Sequence, residues 1–332
     1  MKPRIQELDR LPAVLFDDVL SGSSAPGRAG ARPAPTASNV ERRTPNTERL
    51  LPMRIVESVT RMQRLSRRLP RPVILVPTMG ALHEGHLALV DRAKRLAGPN
   101  GSTVVSIFVN PTQFGPREDY QKYPRPLERD CSLLRGRRCD VLFAPSAAEM
   151  YAPDASVVVT ESALATLMCG ASRPGHFVGV CSVVTKLFHL VQPDSAVFGE
   201  KDFQQLAILR RLVRDLNIPV RIIGHPTIRE PDGLALSSRN AYLSEQERQQ
   251  APLIQQTLRE AEQELRRRPV SRRALQNWMR RRIERGSLAK VDYVVAVDPE
   301  TLKPKEPTTL PVLLAAAVFF GATRLIDNIL VE

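Results

Sequence analysis

The chain has 332 residues, room for one large or two medium domains, and its hydrophobic fraction of 42% and charged fraction of 25% are ordinary for a soluble globular protein. The formal net charge is +13, yet aromatic residues make up only 5%, which argues against stacking platforms for single-stranded nucleic acid. Cys131, Cys139, Cys169 and Cys181 form no C-x-x-C pair and no zinc-ligand spacing, and read as buried thiols of a reducing, cytoplasmic compartment.

Residues 1–52 read as an extension. The stretch 21–47 is rich in Ser, Gly, Ala, Pro and Arg without an apolar period, so disorder is expected, and residues 11–20 offer at most a transient helix. This Pro- and Arg-rich terminus has no apolar core segment and does not resemble a signal peptide. Met53-Arg-Ile-Val opens the folded part, which makes Met53 a candidate for the native start.

Strands and helices then alternate. Strands are expected at 73–76, 103–109, 139–143, 157–160, 195–199 and 219–223, and helices at 56–69, 82–96, 126–137, 181–191 and 202–216. Runs such as Thr103 to Val109 are nearly all apolar, as strands covered on both faces must be. The pattern predicts an α/β fold: a Rossmann-like doubly wound parallel sheet over 53–226, with ligands at the carboxyl ends of its strands. Beyond it, helices 244–267 and 270–285 and strands 290–297, 311–319 and 323–330 predict a second, smaller C-terminal α/β domain, 227–332. The apolar run from Leu310 to Phe320 is shorter than the roughly 20 residues of a membrane span, and reads as a strand.

The most informative segment joins the strand at 73–76 to the helix after it. Pro77 ends the strand, Gly80 loosens the turn, and His83 and His86, three apart, share one face at the helix start. A helix N-terminus supplies unpaired N–H groups and the positive end of the macrodipole, and two imidazoles add donors, a combination suited to phosphate. The pair also fits plain capping. His-Glu-Gly-His is not the zincin His-Glu-x-x-His, and neither the phosphate loop G-x-x-x-x-G-K-[ST] nor G-x-G-x-x-G occurs.

Other strand ends are similarly polar. Asn110-Pro-Thr-Gln113 can fix hydroxyl and carboxylate oxygens or simply make a capping turn. The loop from Gly115 to Arg125 reads as a surface connection or a lid. Arg173-Pro-Gly-His offers Arg173 as an anion grip, while Gly175 and Gly179 permit close backbone approach. Gly199-Glu-Lys-Asp sets Lys201 at a strand end, with Asp202 as a helix cap or an Mg²⁺ ligand, and Gln205 in the next turn. Ser237-Ser-Arg239 places two hydroxyls beside a guanidinium. Nine arginines between 266 and 285 interleave with Leu265, Leu275, Trp278 and Ile283, as on the solvated face of amphipathic helices or on a partner surface. The segments 291–302 and 321–328 read as structural.

Pro77-Thr-Met-Gly-Ala-Leu-His-Glu-Gly-His86, Phe198-Gly-Glu-Lys-Asp-Phe-Gln-Gln205 and Asp232-Gly-Leu-Ala-Leu-Ser-Ser-Arg-Asn240 in one chain closely resemble the pantothenate synthetase (pantoate–β-alanine ligase) family, within the His-x-Gly-His nucleotidyltransferases. The resemblance spans about 53–330. Phe203, where tyrosine is common, and Cys181-Ser182 are its departures. It implies condensation of (R)-pantoate with β-alanine, using ATP and Mg²⁺ and releasing AMP and pyrophosphate through a pantoyl adenylate. Carried over, Met79, Gly80, Ala81, Leu82, His83, Glu84, Gly85 and His86 belong to the ATP site, with His86 as proton donor. Gly199, Glu200, Lys201, Asp202, Ile228, Leu236, Ser237, Ser238 and Arg239 complete the nucleotide contacts. Gln113 and Gln205 match the pantoate-holding positions, Gln113 also lying near β-alanine, with Asn110 assisting and Arg173 as a further substrate contact. His83, His86, Lys201, Ser237, Ser238 and Arg239 form the catalytic set, and Asp202 is the metal candidate. The family implies a homodimer. The rival readings are an adenylyltransferase acting on another small molecule and, from the net charge alone, a nucleic-acid binder, which the charge distribution disfavours.

Overall fold

The computed structural model describes residues 52–116, 118–306 and 309–332. The expected extension lies outside the described residues up to position 51. The described residues form one compact unit.

Strands β1 (Arg54–Val56), β2 (Val73–Thr78), β3 (Ser102–Ile107), β4 (Val141–Phe143), β5 (Ser195–Gly199) and β6 (Arg221–His225) form a wholly parallel sheet in the order β1-β4-β3-β2-β5-β6. From β2 the chain winds first outward through β3 and β4, then returns to the other side of β2 for β5 and β6. The winding direction therefore reverses between β2 and β5, where such sheets open a ligand crevice. The helices between strands are α1 (Val59–Ser66), α2 (Glu84–Ala97), α3 (Leu127–Gly136), the short α4 (Ala147–Met150) and α5 (Met168–Ser172), α6 (His176–Val191) and α7 (Phe203–Asp215). Within β2, Val73 and Leu75 enter one hydrophobic core with α6 and α7, while Ile74 and Val76 enter another with α2 and α3. An unbroken apolar run is thus two interleaved faces of period two.

Beyond β6 come α8 (Glu245–Gln250), α9 (Leu253–Arg267) and α10 (Arg272–Ile283), then β7 (Ala289–Val297), β8 (Val312–Phe320) and β9 (Thr323–Val331), an antiparallel sheet in that order. Ile254, Leu258, Ala261 and Leu265, at helical spacing along α9, bury against this sheet with Leu275, Met279 and Ile283 of α10. Burying each of these leucine, isoleucine and methionine side chains contributes about 1.5–3 kcal/mol. On β8, Leu314 and Ala316 join that core, whereas Leu313 and Ala315 join the core of the parallel sheet. One strand therefore packs both sheets together.

Four expectations need correction. Pro77 does not end its strand, since β2 runs on to Thr78 with Pro77 opposite Ser106. Residues 54–56, where no strand is expected, pair with β4 as β1, and the helix read from 56 begins at Val59. Residues 157–160 form no strand: Val157 and Val158 are 91% and 63% exposed, and Val159 is tethered by its N–H to the Ser182 hydroxyl at 2.9 Å. The β-branched run has strand propensity, but it pairs with no strand. The helix expected over 244–267 divides into α8 and α9, with Pro252 at the start of the second. All four cysteines are buried and unpaired. Among the described residues no helix is long and apolar enough to cross a membrane, and the apolar run before Phe320 is β8. In the arginine-rich region Arg266, Arg268, Arg272, Arg280 and Arg282 pair with Glu262, Glu264, Glu306, Glu284 and Glu260, so much of that charge is locally neutralised.

Candidate active site

The carboxyl ends of β2, β3 and β5 converge on a narrow cleft of about 240 Å³. After β2 the backbone turns through Gly80 (φ +81°) and Ala81 (φ +50°), both left-handed. The buried carboxylate of Asp130 on α3 holds this turn, accepting the N–H groups of Ala81 and Leu82 at 2.8 and 2.9 Å. His83 then caps α2, its Nδ1 accepting the Gly85 N–H at 3.1 Å. With Nδ1 occupied as acceptor, the neutral ring carries its proton on Nε2. The His86 ring lies 4.0 Å from that of His83, centroid to centroid. Gly85 makes room for this pair: a Cβ there would stand 2.8 Å from the His83 ring.

Both histidines are held neutral. Burial, with Lys201 and Arg129 adding positive charge, lowers His83 to about 4. Burial, with His83 and Lys201 nearby, lowers His86 to about 3. His86 Nδ1 is buried and has no hydrogen-bond partner. The site therefore presents uncharged N–H donors at neutral pH, which fits stabilisation of a phosphate better than donation of a proton.

Opposite stand the turn after β5 and the segment after β6. Lys201 lies on a 3₁₀ turn, Glu200–Asp202, whose Glu200 and Lys201 carbonyls both accept from the Asn328 side chain on β9, at 3.0 and 2.9 Å. Asp202 makes no capping bond to α7, so the cap reading fails. Ser237 caps the following 3₁₀ turn, the Ser238 hydroxyl meets the Tyr123 hydroxyl at 3.2 Å, and Arg239 pairs with Asp119 at 2.9 Å beside the Tyr123 ring.

The structure gathers most of the expected residues. Met79, His83, Gly85 and His86 line the cleft from β2, and Gly199, Lys201 and Asp202 from β5. Ile228, Leu236, Ser237, Ser238 and Arg239 face them, and Asn110, Gln113, Arg173 and Gln205 form the remaining polar wall. Ala81 and Leu82 are buried behind the turn, Glu84 bonds to Arg137, and Gly80 and Glu200 contribute backbone rather than lining. Two expected roles change. Asn110 is fully engaged with Thr112, Tyr151, Gln113 and Gly179, so it positions its neighbours. Arg173, expected to grip an anion, already chelates Glu118 at 2.7 and 2.5 Å and reaches the Gln113 carbonyl and His176. Burial works to raise the Glu118 pKa, but the Arg173 bonds and charge outweigh it and hold that carboxyl below its ordinary range. Burial lowers His176 to about 4, with Arg173 adding to the effect.

Glu118, Asp119 and Tyr123 thus tie the loop after Gln113 to both walls. Sequence reading passed over these three, and over Asp130 and Asn328, because each works through a partner far away along the chain. A wider chamber of about 1180 Å³ adjoins the cleft and shares Lys201, Asp202, Gln205, Ser237 and Arg239 with it. Ligand sites span about 300–1,000 Å³, so the cleft and chamber together have room for a nucleotide and a second molecule.

An open parallel sheet with phosphate-compatible groups at its switch point defines a Rossmann-like α/β protein that binds ligands at the carboxyl ends of its strands. The sequence profile of the family described as Pantoate-beta-alanine ligase matches residues 54–330. A pantothenate synthetase from Thermosipho africanus is 49% identical over 282 residues, covering 84% of this chain and all of that protein. One from Fervidobacterium nodosum is 50% identical over 285 residues with the same coverage. The crystal structure of pantothenate synthetase from Thermus thermophilus superposes with a TM-score of 0.79 at 46% identity, over 84% of this chain and 100% of that one. That of a pantoate-beta-alanine ligase from Francisella tularensis, complexed with beta-gamma ATP and beta-alanine, gives 0.71 at 34%, over 84% and 97%. This chain belongs to the pantoate–β-alanine ligase family, a family of ligases.

Proposed function

We propose that the chain condenses pantoate with β-alanine at the expense of ATP, giving pantothenate, AMP and pyrophosphate. The carrying observation is the cleft itself: two neutral imidazoles at a helix start, Lys201 and the Ser237-Ser238-Arg239 segment facing them, and the amides of Gln113 and Gln205 beside both. In the first step a pantoate carboxylate oxygen attacks the α-phosphorus, and the bond to pyrophosphate breaks. Negative charge grows on the phosphate oxygens, where His83 Nε2–H, His86, Lys201, Ser237, Ser238 and Arg239 act as fixed donors. In the second step the β-alanine amine attacks the acyl carbon of pantoyl adenylate, the bond to AMP breaks, and the proton the amine loses passes to the departing AMP phosphate or to water. Gln113 and Gln205 hold the pantoyl group and Gln113 orients the amine.

Among the described residues no cluster of His, Cys, Asp and Glu could hold a metal by itself. Mg²⁺ usually binds through one or two carboxylates and the nucleotide phosphates, and Asp202, a lining residue of the cleft, suits that part. The ion would neutralise pyrophosphate charge.

Residues 53–226 would then bind ATP and pantoate, and 227–332 would act as a lid domain carrying the serine–arginine segment, shielding the acyl adenylate from water. The separate core of α9, α10 and the antiparallel sheet supports this division. The buried free thiols support a cytoplasmic location. The homodimer rests on family resemblance and is checked by light scattering. The direct test is AMP formation from ATP, Mg²⁺ and pantoate, with and without β-alanine, using residues 53–332. Stoichiometric AMP and pantothenate requiring both substrates are expected. A folded sample that binds ATP yet makes no β-alanine-dependent AMP refutes the ligase and favours an adenylyltransferase.

A further inference from the structure

The turn carrying Gln113 contains a hydrogen-bond chain whose far end lies outside the cleft. The Thr112 backbone N–H donates to Asn110 Oδ1 at 3.3 Å, and the hydroxyls of Thr112 and Tyr151 each donate to it at 2.9 Å. A backbone N–H only donates, so the atom it meets is the oxygen, and Asn110 Nδ2 is the donor. That Nδ2 donates to the Gly179 carbonyl at 3.1 Å and to the Gln113 side chain at 3.3 Å. The receiving atom is therefore Gln113 Oε1. The Nε2 end of Gln113 faces the other way, onto Met79 Sδ at 2.8 Å within the cleft. A thioether is a weak acceptor, so a ligand oxygen in its place makes the better bond.

We infer that Tyr151 is a positioning residue that, through Asn110, keeps Gln113 with its N–H donors toward the cleft and so tunes the site to a substrate offering an acceptor oxygen, such as a carboxylate. Neither the cleft nor the adjoining chamber is lined by Tyr151. Its ring packs 6.2 Å from Phe108 and under the Lys186 ammonium at 5.4 Å, so Tyr151→Phe removes the hydroxyl and leaves the ring seated. The inference rests on the proposed reaction only for which substrate meets Gln113.

Tyr151→Phe is expected to raise KM for pantoate about three- to tenfold, the span of one neutral hydrogen bond, with KM for ATP and thermal stability nearly unchanged. In a Gln113→Ala background the same change should do nothing further, because its route of action has gone. An equal rise in KM for ATP, or an undiminished effect without Gln113, overturns the inference. If the wild type does not consume pantoate, the functional reading falls, and the relay is read by NMR of ¹⁵N-glutamine side chains. Gln113's signals are identified by their loss in Gln113→Ala. Their movement in Tyr151→Phe, with those of Gln204 and Gln205 unmoved, supports the relay; an unmoved Gln113 pair overturns it.

Discussion

Gly179, in the first turns of α6, lies against the turn that carries Gln113, and Gly179→Ala tests how tightly that contact is set. A Cβ added there would stand 2.5 Å from the Thr112 carbonyl carbon and 2.6 Å from the Gln113 nitrogen, closer than the 3.0 Å below which real Cβ contacts essentially never fall. The turn or the helix must give by about half an ångström, and since the obstructing atoms are backbone, no rotamer change relieves the clash. Overpacking of this kind costs about 1–3 kcal/mol. With an unfolding entropy of about 2.1 cal/mol/K per residue, each kcal/mol moves the melting temperature of a protein this size by roughly 1–2 °C, so it should fall by about 1–6 °C. The turn also sets Gln113, and since a 1 Å misplacement can cost about 10²-fold in rate, a shift of half that should lower kcat/KM for pantoate by up to about tenfold. Gly175→Ala is the control. It forces a left-handed residue to carry a side chain, at φ +83°, but no atom lies within 4 Å of its added Cβ. It should lose about 1–2 kcal/mol with kcat/KM unchanged. Differential scanning fluorimetry and initial rates read both quantities. A Gly179→Ala protein with wild-type stability and kcat/KM, or a Gly175→Ala protein with the same kcat/KM defect, refutes the reasoning.

Replacing His86 by Ala should lower turnover by roughly 10²–10³, the usual size for one charge-stabilising donor; near-normal pantoyl adenylate formation would remove it from that role. His83, His86 and His176 sit at about 4, 3 and 4 when folded, against 6.5. As pH falls below 6.5 the unfolded chain therefore binds protons that the folded chain refuses, and stability should decline until pH 3–4, where the folded histidines protonate. Thermal melts between about pH 4 and 8 check this, and a flat profile contradicts it. Bound phosphate favours charged imidazole, so proton uptake on ATP binding should grow as pH falls toward the range of the folded histidines, measurable by calorimetry in buffers of different ionisation heat. Asp130→Asn cannot accept equally from both Ala81 and Leu82. It should cost about 1–3 kcal/mol and raise KM for ATP, whereas a stability loss with KM for ATP unchanged would confine Asp130 to folding.

The sheet was legible because its strands, buried on both faces, announce themselves as apolar runs, although Pro77, read as a strand end, lies within β2 opposite Ser106. The same signal misled at 157–160, since propensity does not say whether a neighbouring strand is available. Within the site, residues that work beside their own strand end, such as His83, Gln113 and Lys201, could be found from local motifs. Arg173 was found without its partner Glu118, because a free and a chelated guanidinium look alike in sequence, whereas the capping turn made by Asn110 was one of the two readings its segment allows. Asp130, Tyr123 and Asn328 act across long stretches of chain, and one sequence records no such pairing.

The two bonds from Asn328 to the turn of Lys201 give the order of synthesis a consequence. A ribosome that has passed Arg239 has already made every residue lining the narrow cleft, yet a chain broken off before Asn328 lacks the staple that shapes the turn carrying Lys201. Prematurely terminated products should therefore carry all of the proposed phosphate-binding groups and still be catalytically poor.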